Sequence, residues 1–368
     1  MLLIGTWNFK SYNNAILVMY KAYSYFIFWH YVVMTQLVMV SIPIQWDCKI
    51  RVIELICFYI QYTNNIIMMV LSKYSNKMQK VFDHILDYED VKMRSTTNVE
   101  QKIYFKYAKL NKRVSLFVTA ILLGTSVYWY TTSVRYSLFG QPTDVCPLTK
   151  GTIYQIWLPS IIRKYHWLMI VNDIVFFISV INITLYREII MFAISIFMLG
   201  QIKILQQNVR DLEKTSEEVR NSRNVSYDDA LLISVVKCAK EHQQVTKLME
   251  IVQSATSIFI LVLYFSNTFE MAAYLFQLIS EKSIYNILRP LYVFTLMVSQ
   301  LYIFYNYTNE ILVESTALCD VIYNETNWID YNQVIKKNLL LMMRRSQKQL
   351  SFKAAGLGDM SLQTFTNV

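Results

Sequence analysis

Five stretches of this chain run without one Asp, Glu, Lys or Arg: residues 24–46, 55–72, 114–134, 251–269 and 290–309. A sixth, 174–202, is broken only by the adjacent pair Arg187 and Glu188. A helix needs about 20 mostly apolar residues to cross roughly 30 Å of hydrocarbon. Lipid offers no partners to backbone N–H and C=O groups, so a spanning segment is a helix or part of a closed barrel. A barrel would read as short alternating segments, and the sequence shows none. Seven Gly and five Pro in 368 residues leave few helix breaks. Charged residues make up 17% of the chain, against about a quarter in soluble domains. The pattern predicts an all-α membrane protein with six full spans at those positions and a polar segment from residue 310 to 368. The first run follows Lys10 and Lys21. It is too long for a signal peptide, and no small-residue cleavage site follows it, so it reads as a retained anchor.

Orientation follows from the basic residues, which accumulate on the cytoplasmic side. With the N-terminus inside, the inside segments hold 26 of the 35 Lys and Arg and the outside segments hold 8. The two richest loops, 73–113 and 203–250, would face outward in the reverse topology. An inward N-terminus argues against a G-protein-coupled receptor. So do Val134-Arg135-Tyr136 without a preceding acid and the lack of Asn-Pro-x-x-Tyr in a late span. The net charge of +9 is accounted for by cytoplasmic loops facing anionic lipid, with no nucleic acid required.

The loops divide by composition. Residues 73–113 mix both signs of charge and predict helical extension beyond the bilayer. The outer loop 135–173 is turn-rich around Gly140, Pro142, Pro147 and Gly151. Its aromatic second half, 153–169, could cover the outer mouth. Segment 203–250 reads as helix, a disordered middle over 216–227, then helix. Residues 331–348 suit an amphipathic helix, with Ile335, Leu339 and Met342 at i, i+4 and i+7 and Lys336, Lys337, Arg344 and Arg345 elsewhere. A surface helix lying on the bilayer is one explanation.

Signals for catalysis are missing. His30, His84, His166 and His242 form no His-Glu-x-x-His site, and there is no Cys-x-x-Cys, Gly-rich phosphate loop or nucleophile elbow. No enzyme, metal or cofactor is expected. Under this topology only Cys48 and Cys146 of the five cysteines lie outside, where either a disulfide or two free thiols would fit. The sequons at Asn182, Asn224, Asn306 and Asn324 fall in spans or inside and are expected to stay unglycosylated. Charge within a span is expensive and marks a functional hypothesis by default. Arg187 and Glu188 therefore either serve a ligand or an ion pair, or sit in hydrated surroundings near the outer interface. Neighbouring residues point about 100° apart on a helix, so the two are not expected to pair with each other.

The C-terminal residues carry a more specific signal. Leu340, Met342, Met343, Arg345, Ser346, Gln347 and Lys348, then Ala355 and Gly356, then Ser361, Leu362, Thr364 and Phe365 resemble the closing signature of insect odorant receptors. Gly200-Gln201 with Ile204-Leu205 resembles the same family. Glu100, Tyr107, Ala108 and Arg113 resemble its ant and bee members, which implies a hymenopteran-like tuning receptor. The resemblance implies a seven-helix plan, of which this chain holds six full spans and the start of the seventh, as if truncated before that helix ends. It implies a subunit that binds a small volatile odorant and gates a non-selective cation channel with a shared co-receptor. The assembly would be a hetero-oligomer, a tetramer, in the plasma membrane of olfactory sensory dendrites. It also implies a pocket in the outer half, for which the spans offer Tyr59, Tyr62, Tyr128, Trp129, Tyr302 and Tyr305, the last two sharing a helical face. Glu188 matches an acidic position common before the Gly-Gln of these receptors. The anchor helix that joins subunits would use Leu339, Met342, Arg345, Gln347 and Lys348. A truncated non-conducting form, a gustatory receptor and a multi-span transporter are the alternatives. The last is weakened by the lack of an internal repeat.

Overall fold

The apolar runs fold as long helices in the computed structural model, which describes residues 14–47, 49–95, 98–139, 156–159, 164–280 and 284–366. Helix α1 covers Asn14–Ile44, α2 Lys49–Tyr74, α3 Asn76–Ser95 and α4 Asn98–Phe139. Then come α5, His166–Arg210, α6, Leu212–Arg223, α7, Tyr227–Ser280, and α8, Ile284–Glu325. The C-terminal part holds α9, Gln333–Ser346, a two-stranded antiparallel hairpin of β1 (Lys353–Ala354) and β2 (Gly358–Asp359), and α10, Leu362–Thr366.

Among the described residues, five helices are long and apolar enough to cross a membrane by length and composition: α1, α2, α4, α5 and α7. Helix α8 contains the uncharged run 290–309 but is not among the five, and the end of that run is diluted by Tyr302, Tyr305, Asn306, Tyr307 and Asn309. Several helices outrun the bilayer. The 45 residues of α5 and the 54 of α7 rise about 1.5 Å each, more than twice the hydrocarbon thickness. Within 73–113, residues 76–95 lie in α3 and 98–113 in α4, so the described part of that loop is helical as its sequence predicted.

The stretch 216–227 is not a disordered middle. Leu212–Arg223 is helix, with Leu212 and Ser216 buried. It ends at Asn224 in the left-handed region, φ 51 and ψ 45, which Asn tolerates better than most residues. Ser226 then starts α7: its hydroxyl accepts from the Asp229 N–H at 3.2 Å and donates to the Asp229 carboxylate at 2.6 Å. The sequence signal was misread because many charges over a short segment describe a solvated helix as well as a coil.

The chain divides into two compact units. The first holds residues 1–75, 116–190 and 261–300; the second holds 76–115, 191–260 and 301–368. Within the first unit, Lys73 at the end of α2 donates to Ser24 Oγ at 2.6 Å and lies 4.5 Å from the Tyr25 ring centre. Residues 156–159 run against α1, where Ser41 Oγ accepts from the Trp157 N–H at 2.8 Å and Ile156 and Leu158 are buried. Ser and Thr side chains in the spans bond back to carbonyls four residues earlier, as Thr35 does to Tyr31, Thr63 to Tyr59 and Ser179 to Val175. This satisfies hydroxyls that lipid could not.

Within the second unit the core is a continuous apolar cluster. It gathers Leu205 and Val209 of α5, Leu231 and Val235 of α7, Leu318 and Ile322 of α8, and Ile335, Leu339, Met342 and Met343 of α9. Helix α9 begins at Asn332, whose side chain accepts from the Val334 and Ile335 N–H groups at 2.8 and 3.3 Å. The connector before it is held by Glu213, which accepts from Asn327 Nδ2 at 2.8 Å and from the Tyr331 hydroxyl at 2.9 Å. The apolar face of α9 is thus buried in protein and does not lie on lipid. At Gly200, on α5, a Cβ would come within 3.4 Å of the Tyr107 side chain, so glycine permits that close approach.

Candidate functional site

In the first unit, α4 and α8 form an aromatic notch. Gly124 and Tyr128 are four apart on α4 and share a face. The Tyr128 ring meets the Tyr292 ring of α8 at 6.0 Å between centres and 56° between planes. A Cβ at Gly124 would meet only the Tyr292 hydroxyl, at 3.7 Å. Tyr292 is 39% exposed, and Tyr128 is half-buried. Gly124 and Tyr292 are both exposed, so the notch is an open groove that offers aromatic surface, space left by a missing side chain, and the Tyr292 hydroxyl. Beside Tyr128 on α4, Trp129 has a side chain outside the described residues.

Gly124 and Tyr292 were not singled out from the sequence. Nothing distinguishes Tyr292 among 27 tyrosines, and only the facing of two helices reveals it. A glycine within an otherwise strong helical run was the available signal, since glycine there usually has a packing or functional reason.

Tyr62, by contrast, is 1% exposed and closed in by rings. It meets Tyr31 at 6.0 Å, Phe176 at 5.4 Å and Phe58 at 5.9 Å. Beside this cluster Asn65 Nδ2 donates to the Tyr31 hydroxyl at 2.8 Å and to Thr184 Oγ1 at 3.0 Å. Tyr62 thus faces α1 and α5 as packing. Tyr59, one turn earlier on α2, is half-buried.

Arg187 and Glu188 do pair, contrary to the expectation from their adjacency. Arg187 Nη2 and Nε reach Glu188 Oε1 at 2.6 and 3.1 Å. Their side chains are 9% and 20% exposed. The arginine stem is long enough to fold across the angle between neighbours. Glu270 on α7, also buried, is a further carboxyl electrostatically coupled to Arg187 and Glu188. It lies one residue beyond the uncharged run 251–269 and so escaped notice.

In the second unit, Tyr305 is 2% exposed and Tyr302 is 50% exposed. Positions three apart differ by about 60° around a helix, enough to straddle the edge of a buried face, so the pair does not share one environment. The five anchor residues also separate. Leu339 and Met342 enter the chain's own core. Gln347 and Lys348 are exposed, and half-buried Arg345 donates from Nη1 to the Lys348 carbonyl at 3.1 Å. Glu314 of α8 accepts from Lys203, as an ion pair, and from Gln206 Nε2 at 3.0 Å. Burial would push its carboxyl up, but these bonds and the Lys203 and Arg210 charges hold it below the usual range. The Cys48–Cys146 pair lies outside the described residues. Cys57, Cys238 and Cys319 are free thiols, and no group of metal-binding side chains occurs among the described residues.

Comparison with known proteins gives this arrangement its relatives. Odorant receptor Or2 of Anopheles gambiae is 28% identical over 172 residues, 46% of this chain and 44% of that protein. Odorant receptor 10 of Aedes albopictus is 26% identical over 175 residues, 47% of this chain and 44% of that protein. The chain thus matches a little under half the length of these curated relatives. The insect olfactory receptor OR5 from Machilis hrabei superimposes with a TM-score of 0.73 at 14% identity, covering 100% of this chain and 92% of that one. The same receptor in complex with eugenol gives 0.70 at 14% identity, covering 97% and 88%. These two structures share the fold. The model of the 7tm odorant receptor family matches residues 50–368, and the chain belongs to that family.

Proposed function

We propose that the chain is a ligand-tuned subunit of an odour-gated cation channel, working with a co-receptor subunit in the membrane of olfactory neurons. The family match over residues 50–368 carries this reading. The notch of Gly124, Tyr128 and Tyr292 supplies a place for the ligand. Its rings and hydroxyl would match a small aromatic or aliphatic volatile carrying a polar group, and the Machilis receptor is solved in complex with eugenol. Of the residues from the sequence reading, Tyr59, Tyr128, Glu188 and Tyr302 keep enough exposed surface to touch ligand. Arg345, Gln347 and Lys348 remain available to a neighbouring subunit, whereas Leu339 and Met342 support α9 from within.

Gating requires differential affinity. A ligand opens the channel only by binding the open state more tightly, and converting 1% open to 99% open takes about a 10⁴-fold preference. A ring pair that bridges two helices, as Tyr128–Tyr292 does, can supply such a difference if the distance between α4 and α8 changes between states.

The test is current recording from cells expressing this chain with a co-receptor subunit, across a panel of volatile alcohols, phenols and esters. An odour-evoked, weakly cation-selective current that needs both subunits supports the reading. Surface expression of both subunits with no response to any ligand, alongside a responding control receptor, counts against it.

A further inference from the structure

The chain between α9 and α10 is fastened to its neighbours by backbone groups more than by packing alone. Gln253 of α7 gives and takes with one residue: its Nε2 donates to the Lys353 carbonyl at 2.8 Å, and the Lys353 N–H donates to its Oε1 at 2.8 Å. A primary amide in this role imitates a neighbouring strand. One helical turn on, the Ser257 carbonyl accepts from the Ala355 N–H at 3.3 Å. Helix α8 holds the two flanks. Ser315 Oγ accepts from the Leu350 N–H at 2.9 Å, and Asn309 Oδ1 accepts from the Leu362 N–H, the first residue of α10, at 3.4 Å.

The hairpin itself closes on Asp359. Its carboxylate accepts from Gln349 Nε2 at 2.9 Å and from the Ser351 hydroxyl, and lies 3.5 Å from Lys353 Nζ. Gly356 and Gly358 have φ of +81° and +103°, values that other residues rarely adopt. Phe352, Ala354 and Met360 are buried beneath the hairpin, and the Phe352 ring stands 6.4 Å from that of Phe304. The Gln253 bonds, by contrast, lie in the solvent-exposed part of the contact. Water can compete for them, which it cannot do for the buried underside.

We infer that Gln253 and Asp359 are positioning residues of a latch that fixes where α10 begins relative to α7 and α8. The hairpin acts as a keyed spacer: its apolar underside sets depth, and the Gln253 amide sets register. A one-residue slip would move Lys353 off Gln253 and Leu362 off Asn309 together. For its effect on current the inference rests on the channel reading above; for the latch itself it does not.

The experiment compares the full chain with Gln253→Ala, Gln253→Glu and Asp359→Ala by hydrogen exchange in detergent micelles and by current recording at matched surface abundance. Gln253→Glu keeps the acceptor for the Lys353 N–H but turns an oxygen toward the Lys353 carbonyl, so it is half a latch. The expected result is exchange over 351–366 faster by about tenfold in Gln253→Ala and Asp359→Ala, intermediate in Gln253→Glu, and unchanged over 333–346. The ratio of resting to odour-evoked current shifts by about threefold or more in the same order, which loss of folded protein alone would not produce. Unchanged exchange over 351–366 in both alanine variants overturns the inference. So does an unchanged current ratio where wild type conducts. A wild type without odour-evoked current tells against the channel reading, and the exchange data then decide the latch by themselves.

Discussion

Gly124→Ala separates stability from ligand sensitivity by sign. The new methyl would lie 3.7 Å from the Tyr292 hydroxyl, an ordinary van der Waals distance, with no backbone in the way. Gly124 has no positive φ and lies well inside α4, so alanine there gains up to about 1 kcal/mol of helix propensity. Folding and surface abundance should therefore hold or improve. The notch loses the volume of one methyl group. One methylene in an apolar pocket is worth about 1–3 kcal/mol, a factor of roughly 10–200 in discrimination. The half-maximal concentration of the best odorant should rise by about tenfold, and Gly124→Leu should abolish the response at the surface level of wild type. Smaller odorants should be penalised less than larger ones, which a general gating defect would not produce. Concentration–response curves for a size series, with surface biotinylation, make the measurement. If both substitutions leave every half-maximal concentration unchanged at normal surface levels, ligand does not occupy the notch.

Other substitutions test the second unit. Leu339→Ala removes a side chain that is 1% exposed in its apolar cluster and should cost about 2–5 kcal/mol, seen as a lower aggregation temperature in detergent and reduced surface delivery. Asn332→Ala removes the α9 cap and should cost about 1 kcal/mol, readable as faster exchange over 333–336 with the rest of α9 less affected. Glu314 has a lowered folded pKa, so its contribution is present above the unfolded carboxyl range and is lost as pH falls through the folded value. The difference in thermal stability between wild type and Glu314→Gln should shrink on acidification from pH about 6 to pH about 3. A difference that grows on acidification would contradict the ion pair with Lys203.

The helices were legible because lipid imposes one rule on every residue of a span: charge is excluded and the backbone satisfies itself. Length and charge counting therefore find α1, α2, α4, α5 and α7 without knowledge of neighbours. Rotation of each helix was not legible. Tyr62, Tyr128 and Tyr292 are chemically alike in sequence, yet one is locked among Tyr31, Phe58 and Phe176 while the other two face each other beside Gly124. For α9 rotation could be read, because Ile335, Leu339 and Met342 alternate with lysine and arginine; the structure buries all three. What they pack against could not, since a lipid surface and a protein core select the same stripe. The hairpin's use of Gln253 lay beyond sequence reading, because the two partners are 100 residues apart.

Arg187 and Glu188 show how the medium changes a rule of geometry. On an exposed helix, neighbours have little reason to pair, and such ion pairs contribute about 0–1 kcal/mol. Inside a span each charge would otherwise face the cost of burial alone, so the arginine bends across to its neighbour at 2.6 Å. The two residues are not equivalent. A carboxyl stranded in apolar surroundings can take up a proton, whereas a guanidinium keeps its charge. Removing Glu188 leaves Arg187 charged without its ion-pair partner, and removing Arg187 leaves a carboxyl that can neutralise. Stranding one charge of a buried pair costs about 3–5 kcal/mol, so Glu188→Gln should reduce folded receptor at the surface more than Arg187→Ala. Adding Arg187→Ala to Glu188→Gln should restore part of the loss, since the stranded cation is gone. An Arg187→Ala variant more damaging than Glu188→Gln, or a double variant worse than either alone, would mean that Glu188 is not the group that compensates Arg187.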